Sequence, residues 1–133
     1  MKKQLLSLAL IISGGISAVY AQAPIFFSEY AEGSASNKYL EIYNPSDSTV
    51  FLDNYAFPNV GNSPDVIGSH ENWNTFPESD SILPGGVYII CHPSADSTIL
   101  ALSNHTHSYL SNGDDGYALV YGVDTAYLII DFI

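Results

Sequence analysis

The chain has 133 residues, 14 acidic side chains against three Lys and Arg, and a formal net charge of −11. That length allows one domain, since domains usually run ~100–150 residues, and the lone Cys91 excludes an intrachain disulfide. So acidic a domain repels phosphate backbones and anionic membranes, which excludes direct nucleic-acid binding by charge neutralisation; it fits cation binding, a neutral partner or colloidal solubility.

Met1 to Ala23 reads as a leader. Lys2 and Lys3 form a basic start, Leu5 to Ile12 an apolar run broken by Ser13-Gly14-Gly15, and Val19-Tyr20-Ala21 and Ala21-Gln22-Ala23 offer cleavage sites. The run is short of the ~20 residues of a membrane span. A cleavable Sec signal peptide is therefore expected, with the domain spanning 24–133, soluble, and secreted, extracellular or periplasmic. Removing the leader leaves Lys38 alone against all 14 acids, a formal charge of −13.

Short strands separated by turns follow. Ile25 to Tyr30 is aromatic and β-favouring, and Gly33 to Asn37 breaks it. Tyr39 to Tyr43 alternates, which predicts a strand with Leu40 and Ile42 buried and Tyr39, Glu41 and Tyr43 outward. Asn44 to Ser48 is a turn in which an Asn side chain can bond the backbone. Thr49–Leu52 and Tyr55–Phe57 are further β runs. Pro58 to Asp80 is expected as a long loop with one or two short strands, its packing groups being Val66-Ile67 and Trp73 to Phe76. Leu83-Pro84-Gly85-Gly86 turns into a buried strand at Val87–Cys91. Ser94 is placed to cap a short helix from Ala95 to Leu102. After the Asn112–Gly116 turn come Tyr117–Tyr121 and a last run, Ala126–Ile133. About seven short strands with regular turns predict an all-β sandwich. The apolar ending Ile130-Asp131-Phe132-Ile133 is either a terminal strand or, as is expected here, a point at which the chain continues in a longer protein.

Catalytic patterns are sparse. Cys91 and His92 are adjacent, so a strand points them to opposite faces, and no nucleophile elbow or zincin motif occurs in the mature chain. His105 and His107 share a strand face but lack a third metal ligand, and are otherwise two exposed loop histidines. Asp114 and Asp115, with Asn112, could give oxygens to Ca²⁺, as could Glu29 and Glu32 beside Glu41. Gly113-Asp114-Asp115 is equally the composition of a tight hairpin turn. No cofactor is otherwise expected. Tyr39 and Tyr43 on an open sheet face could stack sugars or peptides.

The string FFSEYAEGSASNKYLEIYN, from Phe26 to Asn44, resembles the opening of bacterial lamin tail domains. The likeness continues through Pro45–Phe57, LPGGVYIICHPSAD at Leu83–Asp96 and NGDDGYALV at Asn112–Val120. The resemblance implies an immunoglobulin-like sandwich and a non-catalytic module that mediates protein or cell-surface contact. It also implies company, because such domains often precede nuclease or phosphatase domains in secreted proteins. This chain could thus be the accessory part of such an enzyme; its acids and tyrosines fit, as a further alternative, a small Ca²⁺- or carbohydrate-binding sandwich. The matching residues read as structural: Glu29 and Glu41 clamping the loop Gly33–Lys38 with Asn37, Tyr30 beside them, Leu40 and Ile42 in the core, Asn44 in its turn, and Gly113, Asp114 and Asp115 shaping a hairpin. Cys91 stands where the family more often has a small residue, which fits packing.

Overall fold

The computed structural model describes residues 25–62, 66, 69–110 and 113–133; the expected leader, Ile67 and Asn112 lie outside the described residues. The elements in chain order are β1 (Phe26–Glu32), β2 (Lys38–Tyr43), β3 (Val50–Phe51), β4 (Tyr55–Ala56), β5 (Asn59–Val60), β6 (Ser81–Ile82), β7 (Val87–Cys91), α1 (Ser97–Leu100), β8 (His105–Thr106), β9 (Gly116–Val123) and β10 (Ala126–Phe132). One sheet has the order β1-β2-β7-β8 and a second the order β10-β9-β4, with β5 also on β9; β3 and β6 form a short ribbon.

Alternation decides which faces meet. Leu40 and Ile42 of β2 and Ile90 of β7 are fully buried, joined by Tyr88, and they meet Tyr117 and Leu119 of β9 in one core. Each such aliphatic side chain contributes about 1.5–3 kcal/mol when wholly removed from water. Strand β9 is buried from Tyr117 to Val120 without alternation because both its faces are covered. Its Ala118 and Val120 pack with Ala56 beneath Trp73 and Tyr127. The long segment 58–80 supplies that cover: isolated bridges Ala56↔Thr75 and Asn59↔Asn72 lay it back over the sheet. Val66, expected as a packing group, is instead exposed.

Two turns require glycine. A Cβ on Gly33 would sit 2.8 Å from the Asn37 carbonyl oxygen, and one on Gly122, at φ +129°, would lie 2.4 Å from that of Ala126. Both glycines let a hairpin close.

The helix differs from expectation. Asp96, not Ser94, caps it, and it runs Ser97–Leu100 rather than Ala95–Leu102. Ala95 is buried in a turn whose N–H donates to the His92 carbonyl, and the Ser94 N–H is drawn to His92 Nδ1. The Asp96 carboxylate accepts from both the N–H and the hydroxyl of Thr98, which also holds its pKa below the ordinary range. The hairpin expected at Gly113–Asp115 is also not one. Strand β8 before it runs parallel to β7, whereas β9 after it belongs to the other sheet, so the segment is a crossover between sheets.

Asn44, wholly buried, fastens the turns at one end. Its backbone N–H donates to Gly86 and its carbonyl accepts from Gly85. Its side-chain nitrogen donates to the carbonyls of Ser48, Ile82 and Leu83 at 2.8, 3.0 and 3.2 Å, and its Oδ1 accepts from the N–H and hydroxyl of Ser46. Replacing it with alanine removes those bonds, with the greatest loss at the buried Ile82 carbonyl, because the Ser48 and Leu83 carbonyls keep bonds from the Ser46 hydroxyl and the Gly86 N–H; a desolvated group left unpaired costs about 1–3 kcal/mol. Urea unfolding of Asn44→Ala is expected to show a loss of about 2–4 kcal/mol, with Ser46→Ala losing about 1 kcal/mol.

Candidate functional site

The outer face of the first sheet carries a cleft, and a single irregularity in β1 creates it. Phe27 stands opposite Ile42, but the next matched pair is Glu29 opposite Glu41, so Ser28 is an inserted residue. Without that bulge Glu29 would face Leu40 and point into the core, because side chains alternate with a period of two. With it, Glu29 and Glu41 lie side by side on the outer face, and Tyr30, opposite Leu40, takes the other parity. Ser28 Oγ donates to Glu41 at 2.7 Å and Tyr39 Oη to Glu29 at 2.8 Å. Accepting by Glu29, then burial and the two negative charges, raises the Tyr39 pKa, so its hydroxyl keeps its proton.

The other wall comes from the short helix α1. The Gly33–Lys38 loop is closed by its own backbone: Gly33 N–H donates to Asn37 at 2.7 Å and Lys38 N–H to Ser36 at 2.8 Å. Among the described residues Glu29 and Glu41 do not form the expected clamp on this loop; they accept from Tyr39 and Ser28, because the bulge turns them to the outer face. Asn37 instead reaches out, its Oδ1 accepting from the Asp96 N–H at 2.7 Å. That bond ties the loop to the capping residue of α1 and sets the helix against the sheet. The result is a cleft of about 230 Å³ lined by Glu29, Tyr39, Glu41, Ile89, Thr98, Ile99 and Leu102. It combines paired carboxylates, one phenol and an aliphatic wall.

The remaining sequence candidates are placed elsewhere. Glu29 and Glu32 are three residues apart in β1 and so face opposite ways. Glu32 lies beside Gly113, accepts from Tyr30, and stands opposite Lys38 in register. Asp115 accepts from the Asn62 N–H at 2.9 Å, Glu71 from the Gly61 N–H at 2.8 Å, and Asn62, its amide nitrogen turned inward, reaches both Asp114 oxygens. These carboxylates thus brace the segment around residue 61 against the crossover. The four Ca²⁺ candidates are not gathered, and among the described residues no three His, Cys, Asp or Glu side chains form a metal-holding group.

His105 and His107 do share a side, but they are half-buried, not exposed, because Phe57 lies under both rings at 6.4 and 5.4 Å. His107 Nε2 is buried without a hydrogen-bond partner among the described residues. Cys91 is fully buried, as packing requires. Sequence reasoning missed Ile89, Thr98, Ile99 and Leu102; the spacing of Ile99 and Leu102 on one helical face was the available signal.

Two β-sheets closed on one core, with almost no helix among the described residues, define an all-β sandwich module. The Lamin Tail Domain profile matches residues 18–130, and the chain belongs to that family, whose members are immunoglobulin-like sandwiches without a catalytic apparatus of their own. The match begins inside the segment expected as a leader. No curated protein matches the chain significantly.

Two outcomes follow for this region. Asn37→Ala removes the acceptor for the Asp96 N–H and should cost about 1 kcal/mol, with faster amide exchange across Ser97–Leu100. Burial, and then the charge of His105, depress the His107 pKa below its ordinary 6.5. The unfolded chain therefore takes up that proton first, and stability falls as pH drops from 6.5 through the depressed value. Denaturant titrations should show a flatter decline between pH 7 and 5 in His107→Phe than in the wild type.

Proposed function

We propose that the chain is an exported, non-catalytic interaction module that recognises a partner at the cleft between β1, β2 and α1. The observation that carries this reading is the bulge at Ser28, which turns Glu29 outward next to Glu41 in front of a partly exposed aliphatic wall. A core-forming strand gains nothing from that arrangement, since like charges directly opposite each other destabilise a sheet. Leu102, 70 % exposed at the rim, adds apolar area free to dock. The leader pattern of Met1–Ala23 supports delivery to the periplasm or cell exterior, and no cofactor is required for surface recognition. The family also favours work as an accessory to an enzyme domain elsewhere in a longer protein, where it would tether or position that domain.

Immobilised protein and its Leu102→Asp variant should be compared for retention of exported proteins from the source cells. The variant is expected to fold normally, being an exposed substitution, and to lose a specific subset of retained proteins. Equal retention by both, or nuclease or phosphatase turnover that survives stringent purification, would overturn the reading.

A further inference from the structure

We propose that this cleft receives a basic side chain, arginine in preference to lysine, presented by the partner protein. The inference rests on the interaction-module reading and adds the partner's chemistry. None of the residues lining the cleft is basic, and Lys38, opposite Glu32 in register, belongs to the other face of its strand from Glu41. Glu29 and Glu41 each accept a hydroxyl hydrogen bond, from Tyr39 and Ser28. A carboxylate has about four lone-pair sites, so capacity remains, and neutral hydroxyls cancel none of the charge. Two facing carboxylates are thus held together at a cost that an incoming cation would relieve.

The size and lining narrow the cation. A cleft of about 230 Å³ is below the ~300 Å³ at which drug-sized pockets begin, and suits one side chain. A bare metal ion would find two carboxylates with only the neutral hydroxyls of Tyr39 and Thr98 beside them, and a wall of Ile89, Ile99 and Leu102 that offers it nothing. A basic residue uses both parts, its methylenes against the aliphatic wall and its head at the carboxylates. Arginine is favoured because its planar fork serves two carboxylates at once and stacks on an aromatic ring such as Tyr39. The surplus of negative charge over the whole chain steers such a partner inward.

Nitrogen-15-labelled protein titrated with acetyl-Gly-Ser-Arg-Ser-Gly-amide should show saturable shifts at the amides of Glu29, Tyr39, Glu41 and Thr98. The lysine counterpart should bind more weakly and the glutamine counterpart not at all. The double variant Glu29→Gln, Glu41→Gln should lose affinity about tenfold or more, while melting at or above the wild-type temperature because the facing charges are gone. That second readout separates lost recognition from lost fold. Absence of saturable shifts, shifts centred on Glu71, Asp114 and Asp115, or undiminished binding by the double variant would each overturn the proposal. If Leu102→Asp abolishes partner retention while no peptide binds, the interaction face stands and the basic side chain falls.

Discussion

The amide of Asn44 sits where β2 ends, and from there it holds the carbonyls of Ser48, Ile82 and Leu83 while its backbone exchanges hydrogen bonds with Gly85 and Gly86. It therefore fixes the exit of β2, the ribbon of β3 and β6, and the entry of β7 relative to one another. No water reaches Asn44 itself, so its own polar groups depend on these protein partners. The register of β2 against β7, from Tyr39↔Cys91 to Tyr43↔Val87, is set at that end. Once it is set, Leu40, Ile42, Tyr88 and Ile90 all face inward, and Tyr39, Glu41 and Ile89 all face out.

The cleft is a consequence of that register combined with one extra residue. Because β2 and β7 present Glu41 and Ile89 together, a one-residue insertion in β1 is enough to bring Glu29 into the same group. The same insertion frees Ser28 to bond Glu41. Asn37 then spans from the β1–β2 loop to the cap of α1 and supplies the third side. Stability and recognition thus share residues: the loop that closes the hairpin also positions the wall of the cleft.

The acid-rich crossover has a different character. Glu71 and Asp115 are committed to backbone N–H groups, and Asp114 is reached by the Asn62 amide. Their charge is spent on holding the segment around residue 61 to the end of the sandwich. The His105–His107 pair is similarly turned to packing by Phe57. Composition marks both places as chemically interesting, and geometry gives each a structural account.

Local pattern by itself determined the strands that alternate or run continuously apolar: β2 with Leu40 and Ile42 inward, β7 at Val87–Cys91, and the Asx turn at Asn44, all readable because period and turn chemistry are properties of a few consecutive residues. The motif from Phe26 to Asn44 likewise carried the family. Tertiary structure decided what depends on distant partners. It placed the bulge at Ser28, which only pairing with β2 can reveal, and made Gly113–Asp115 a crossover because β8 pairs with β7 and β9 does not. It chose Asp96 over Ser94 as the cap, since Asn37 holds the Asp96 N–H from 59 positions away. The cleft belongs to this second group: its acids, phenol and aliphatic wall come from four elements or their flanks, and no stretch of sequence contains them together.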